Sequence, residues 1–126
     1  MPTALIIHPP QIRVRWDGTG NLDLVVTCHN HPADGLTLRL PRHVLKDFKK
    51  ALVDARLWNQ QTSFDIGEGV KLLVLACEMP YQGKPVRGVE LKIISDNHPW
   101  KELPFRFIAA AIMTLEKSIA EKGGLS

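Results

Sequence analysis

Six cationic side chains stand at alternating, strand-like positions: Arg13, Arg15, Arg39, Lys71, Arg87 and Lys92. Strand residues of one parity share a face of a sheet. Such a row can neutralise a phosphate backbone through salt-dependent contacts. Trp16, Trp58, Tyr81 and Trp100 are the aromatics available for base stacking near its rim. Asp17, Asp23 and Glu90 interrupt the row, as they would on an ordinary solvated strand surface, and alternation puts Trp16 on the core side.

Other chemistries find less support. Cys28, His29 and His31, in the stretch CHNH, are metal-ligand types. Cys28 and His29 point to opposite faces of an extended strand, and no second ligand pair stands at zinc-like spacing. No metal and no cofactor are therefore expected. The chain has no nucleophile elbow, no Gly-rich phosphate loop, no HExxH and no paired-carboxylate pattern. Glu68, between Gly67 and Gly69, reads as a solvated loop residue. The expectation is a non-catalytic protein.

The elements that must position the cations follow from periodicity. IRVRW (12–16) and LDLVVTC (22–28) alternate strictly around DGTGN, which reads as a β-hairpin. LTLRL (36–40) is a third strand, and Pro41 then opens a helix whose apolar stripe is Val44, Leu45, Phe48, Leu52 and Ala55. Arg42, Lys46, Lys49, Lys50 and Arg56 occupy its other side. NQQTSFDIGEG (59–69) is a polar connector with a short strand at Thr62–Ile66. VKLLVLACEM (70–79) is apolar on both faces, so central in its sheet. PYQGKP turns into VRGVELKII (86–94), and SDNHPWKE is irregular or a short edge strand, since Pro99 cannot donate to a ladder. Pro104 is expected to start the last helix, with Phe105, Ile108, Ala109, Ile112, Leu115 and Ile119 as its stripe and Gly123-Gly124 as its stop.

Leu40-Pro41 recurs as Leu103-Pro104 half a chain length later, and the strands before each pair superpose at the same offset. The expected fold is an α+β single domain over 1–126. It has an antiparallel sheet and two helices, laid out as tandem ββ(β)α units of roughly 1–60 and 61–126. On that assignment FRFIAAAIMTL is apolar nearly all round, with Phe107, Ala110, Ala111 and Met113 outside the core stripe. A helix of that kind needs a second cover, and a homodimer through these four residues would supply it.

This layout resembles the single-stranded-nucleic-acid-binding fold of the Whirly and Pur-alpha families, shared broadly by the transcriptional-coactivator single-stranded-DNA-binding domain. The passage LTLRLPRHVLKDFKKAL looks like the end of a Pur-type repeat, and VELKIISDNHPWKELPFRFIAAAIMTL is similar in layout to the carboxyl end of a Whirly domain. The resemblance implies a curved sheet that carries nucleic acid, with helices packed behind it or building a dimer.

Composition agrees with a folded chain of this size: 126 residues, 44% hydrophobic and 23% charged, with a net charge of +3 that mildly favours polyanions. Cys28 and Cys77 read as buried free thiols rather than a disulfide framework. No apolar run is long enough for a membrane span. MPTALIIHPPQ lacks the basic leader of a signal peptide, so a cytoplasmic (or nuclear) location is expected. The leading expectation is binding of single-stranded DNA or RNA, in the manner of a transcription regulator. The alternative is a small protein–protein module, a phage or mobile-element inhibitor or adaptor acting through its helices.

Overall fold

The computed structural model describes residues 11–27, 33–66, 69–96 and 101–122. Strands β1 (Gln11–Trp16), β2 (Leu22–Thr27) and β3 (Thr37–Leu40) lead into helix α1 (Arg42–Trp58). Then come β4 (Thr62–Asp65), β5 (Val70–Tyr81), β6 (Lys84–Ser95), β7 (Glu102–Ile108) and helix α2 (Ala109–Lys122). The fold is α+β, with two antiparallel sheets in place of one: β1-β2-β3 and β4-β5-β6-β7.

The β1–β2 hairpin forms where the alternating residues placed it. Its loop is stitched by Asp17, whose Oδ1 accepts from the backbone N–H groups of Thr19 (2.9 Å) and Asn21 (3.0 Å). Asn21 in turn offers Oδ1 to the backbone N–H of Arg42 at 3.1 Å. The first turn of a helix has N–H groups without intrahelical partners. Pro41, at the N-cap, has no side chain to cap them, so the hairpin loop supplies the acceptor. This bond ties the first sheet to the start of α1.

Trp16, Leu22, Leu24, Val26, Leu38 and Leu40 turn one face of the small sheet into the core. From α1, Leu45, Phe48, Ala51, Leu52 and Ala55 are buried. At about 1.5–3 kcal/mol for each large side chain removed from water, Leu45, Phe48 and Leu52 dock the helix, which packs on β5 and β6. Helix α2 packs on β6, β7 and α1. The indole N–H of Trp16 donates to Ser118 Oγ at 3.1 Å, joining the first strand to the last helix.

β5 is central, flanked by β4 and β6, as its two apolar faces require. It turns into β6 through Gln82 (φ 52°) and Gly83 (φ 78°), a two-residue hairpin turn with both central residues left-handed. The strands run on through Pro80 and Pro85, which face each other next to the turn. β4 pairs only with residues 71–74 of β5, and β7 only with residues 88–94 of β6. The distal part of the hairpin is therefore a two-stranded arm.

Two expectations about the second half are corrected. Pro104 does not begin a helix: it lies inside β7, paired with Lys92, and α2 begins at Ala109. The segment ELPFRFI alternates, with Leu103 and Phe105 buried and Glu102, Pro104 and Arg106 exposed. β7 is an edge strand, where one side has no ladder and a missing N–H is tolerated. Phe105 and Ile108 accordingly belong to a strand and not to a helical stripe. The tandem layout survives in the order β1-β2-β3-α1 and β5-β6-β7-α2, with β4 added at the outer edge. The two Leu-Pro pairs occupy different places in it. The expected Gly123-Gly124 stop lies outside the described residues.

Candidate nucleic-acid interface

Register decides which cations meet. Arg13 is opposite Val25, and Val25 opposite Thr37; Arg15 is opposite Asp23, and Asp23 opposite Arg39. Directly paired residues share a face. Arg13, Arg15 and Arg39 thus stand together on the side of the small sheet that faces away from Leu22, Leu24 and Leu40.

Asp23 organises this face. Its side chain is only 3% exposed, and it takes a fork from Arg39, with Nε to Oδ1 at 2.9 Å and Nη2 to Oδ2 at 3.2 Å. Arg15 Nη2 reaches Oδ2 from the other side at 3.4 Å. The hydrogen bond from Arg39 holds the Asp23 carboxyl below the ordinary carboxylate range, against the opposing effect of burial, with Arg15 adding to it. Arg39 also lies 3.6 Å from Asp17. The Asp17 carboxyl is itself far below the ordinary range, through the backbone N–H groups of Asn21 and Thr19. Both arginine side chains remain well exposed, 64% for Arg15 and 57% for Arg39. A guanidinium has five N–H donors in a rigid plane, so each keeps donors free while its orientation is set. Arg13 is exposed and has no ion-pair partner among the described residues.

The other three predicted cations are elsewhere. Lys71 and Lys92 lie on the face of the larger sheet opposite Leu72 and Ile93. Lys71 is exposed. Lys92 sits between Glu90 at 3.7 Å and Glu102 at 3.8 Å, and Glu90 is also bound by Arg106 Nε at 2.9 Å. That cluster is closed upon itself. Arg87 has the other parity and pairs across the ladder with Glu78. It lines a cleft of about 450 Å³ between the arm and Asn59 at the end of α1. The six residues therefore form one group of three, a same-face diagonal pair (Lys71 and Lys92) and Arg87 apart.

Among the described residues, none of the stacking aromatics lies on the arginine face. Trp16 is on the core side, held by Ser118. Trp58 is 69% exposed at the end of α1, and Tyr81 is 44% exposed next to the arm's turn. Trp100 lies outside the described residues, as do Cys28, His29, His31 and Glu68. Cys77 is a free thiol, half-buried, and burial pushes its pKa up.

No protein-family model matches the chain, and no curated protein matches it.

Of the proposed contact residues on the last helix, Ala110, Ala111 and Met113 are exposed on α2, Met113 at 52%. Phe107 is in β7, packed against the core. Three of the four are thus apolar residues of α2 outside its buried stripe, and Phe107 belongs to the strand before it. No helix among the described residues is long and apolar enough to cross a membrane. Sequence reasoning missed Asp23 as the organiser of the arginine face. The signal was present, since a lone Asp in an apolar strand beside two arginine-bearing strands needs cationic partners.

Proposed function

We propose that this protein binds single-stranded DNA or RNA without catalysis, along the outer face of the β1-β2-β3 sheet. The observation that supports this reading is the grouping of Arg13, Arg15 and Arg39 on one exposed face, two of them oriented by Asp23. Same-face residues on a strand are about 6.6–6.8 Å apart, so Arg13 and Arg15 offer donors in a row along β1. Gln11, Thr27 and Thr37 share the face; Gln11 adds a neutral donor, while the Thr27 and Thr37 hydroxyls donate to the carbonyls of Gln11 and Gly35.

Phosphate neutralisation would then supply the affinity. The face presents no aromatic among the described residues, so bases would make few contacts and sequence preference would be weak. Weak affinity at physiological salt is the expected consequence.

Fluorescence-anisotropy titration with a labelled single-stranded oligonucleotide, at two salt concentrations, tests the reading. Binding should weaken as salt rises. Reversing Arg15 and Arg39 would strand buried Asp23 among carboxylates, so Arg13→Glu is the cleaner variant. It should weaken binding and lower the salt slope by about one while leaving the thermal melt in place. No binding at low salt, or unchanged affinity in Arg13→Glu, would show the reading to be wrong.

A further inference from the structure

A second surface lies far from β1 in the chain and has different chemistry. Between α1 and α2 runs a groove of about 450 Å³, lined by Lys49 from α1 and by Met113, Thr114, Glu116, Lys117 and Ala120 from α2. Its most exposed apolar group is Met113, at 52%. Met113, Lys117 and Ala120 follow one another at spacings of four and three, so they form one stripe along α2.

The charges in this groove do not cancel. Glu116 looks acidic in the sequence, but Arg56 from α1 grips both its oxygens, at 2.8 and 2.9 Å. The groove-side charge that remains is Lys49 on one helix and Lys117 on the other, with exposed Lys46 one turn before Lys49. Asp47 is turned about 160° around α1 from Lys49. Asp54 is 4.0 Å from Lys50. Glu121, one turn beyond Lys117, does not line the groove. The result is a largely apolar stripe on α2, interrupted by Lys117 and faced by Lys49 from α1.

We propose that this groove docks an acidic amphipathic helix from another protein. A groove beside two packed helices can accept a third helix through apolar residues at i, i+3 and i+4. Met113 is suited to the anchor position because its unbranched thioether adapts to the side chain laid on it. Glutamates or aspartates flanking the ligand's apolar stripe would meet Lys49 and Lys117. Nucleic acid fits this surface less well than the arginine face, since its phosphates have no use for apolar Met113 and Ala120. The groove shares no residue with the oligonucleotide face, so the two readings can fail separately.

The probe is a labelled 18-residue helical peptide with leucines at i, i+3, i+4 and i+7 and glutamates elsewhere. Its control has the same leucines with lysines in place of the glutamates. Anisotropy with the full chain should show the acidic peptide binding and the basic one not. Met113→Asp, and separately Lys49→Glu with Lys117→Glu, should each weaken binding at least tenfold without moving the thermal melt or the oligonucleotide titration. Absence of binding, or equal binding by these variants, would overturn the proposal. So would displacement of the peptide by a single-stranded oligonucleotide. A doubled mass in light scattering that Met113→Asp abolishes would assign the groove to a second copy of this chain and overturn it equally.

Discussion

Arg56 and Glu116, 60 residues apart, join the two helices through a paired bond in which Nε donates to Oε2 at 2.9 Å and Nη2 to Oε1 at 2.8 Å. Both side chains are largely buried, 18% and 10% exposed. The Glu116 bond holds the Arg56 pKa above its ordinary value. Removing one member of such a pair leaves the other charged and poorly hydrated. Glu116→Ala should cost about 3 kcal/mol in urea-induced unfolding, near the lower end of the range for a buried pair. The double variant Arg56→Met, Glu116→Leu should recover most of that loss, because packed apolar groups replace a buried pair at little net cost.

Asp23 should set part of the acid limb of stability. Its native pKa is held down, chiefly by Arg39, so the folded state binds its proton less readily than the unfolded chain. The contribution is fully present above the unfolded value of about 3.9 and disappears as pH falls through the lower native value. Urea midpoints between pH 7 and pH 3 should be level at first and then drop. In Asp23→Asn the drop should be shallower and the neutral-pH midpoint lower.

Gly88 is a packing requirement. A Cβ built there would lie 2.4 Å from the Phe107 carbonyl oxygen and 2.9 Å from Met79 Sδ. The sulfur can swing aside; the carbonyl is part of the β6–β7 ladder and cannot. Gly88→Ala should destabilise by about 1–3 kcal/mol, read as a lower thermal midpoint. An unchanged midpoint would mean that β7 can shift without loss.

Gln82 is a strained choice for its turn. It adopts φ 52° with a full side chain, a conformation that asparagine and glycine enter more readily. Gln82→Asn should stabilise the arm, because asparagine's short polar side chain enters the left-handed region more readily. Hydrogen exchange at Met79 and Val86, which pair across the arm, should slow accordingly.

Much of the architecture was legible in the residues. Strict alternation in IRVRW and LDLVVT placed the first hairpin and grouped Arg13 with Arg15, because parity along a strand is a local property. The stripe of Leu45, Phe48, Leu52 and Ala55 placed α1 for the same kind of reason. FRFIAAAIMTL was harder. Its apolar residues satisfy helical spacing, and Phe105 and Phe107 continue a strand alternation that begins at Leu103 before it. The choice fell to β6, whose exposed edge offers β7 a ladder from Gly88 to Ile94, a partner no local pattern reveals.

Charge and pairing divide along the same line. Composition and parity made a basic strand face predictable. They could not say that Arg15 and Arg39 flank the same carboxylate, that Lys92 is enclosed by Glu90 and Glu102, or that Arg87 stands apart. Nor could they move Arg56 from the solvated side of α1 to its contact with Glu116. Local periodicity follows from the chain's own geometry over a few residues. Which charge meets which depends on register and helix placement, and those are settled by burying one shared core drawn from both halves of the chain.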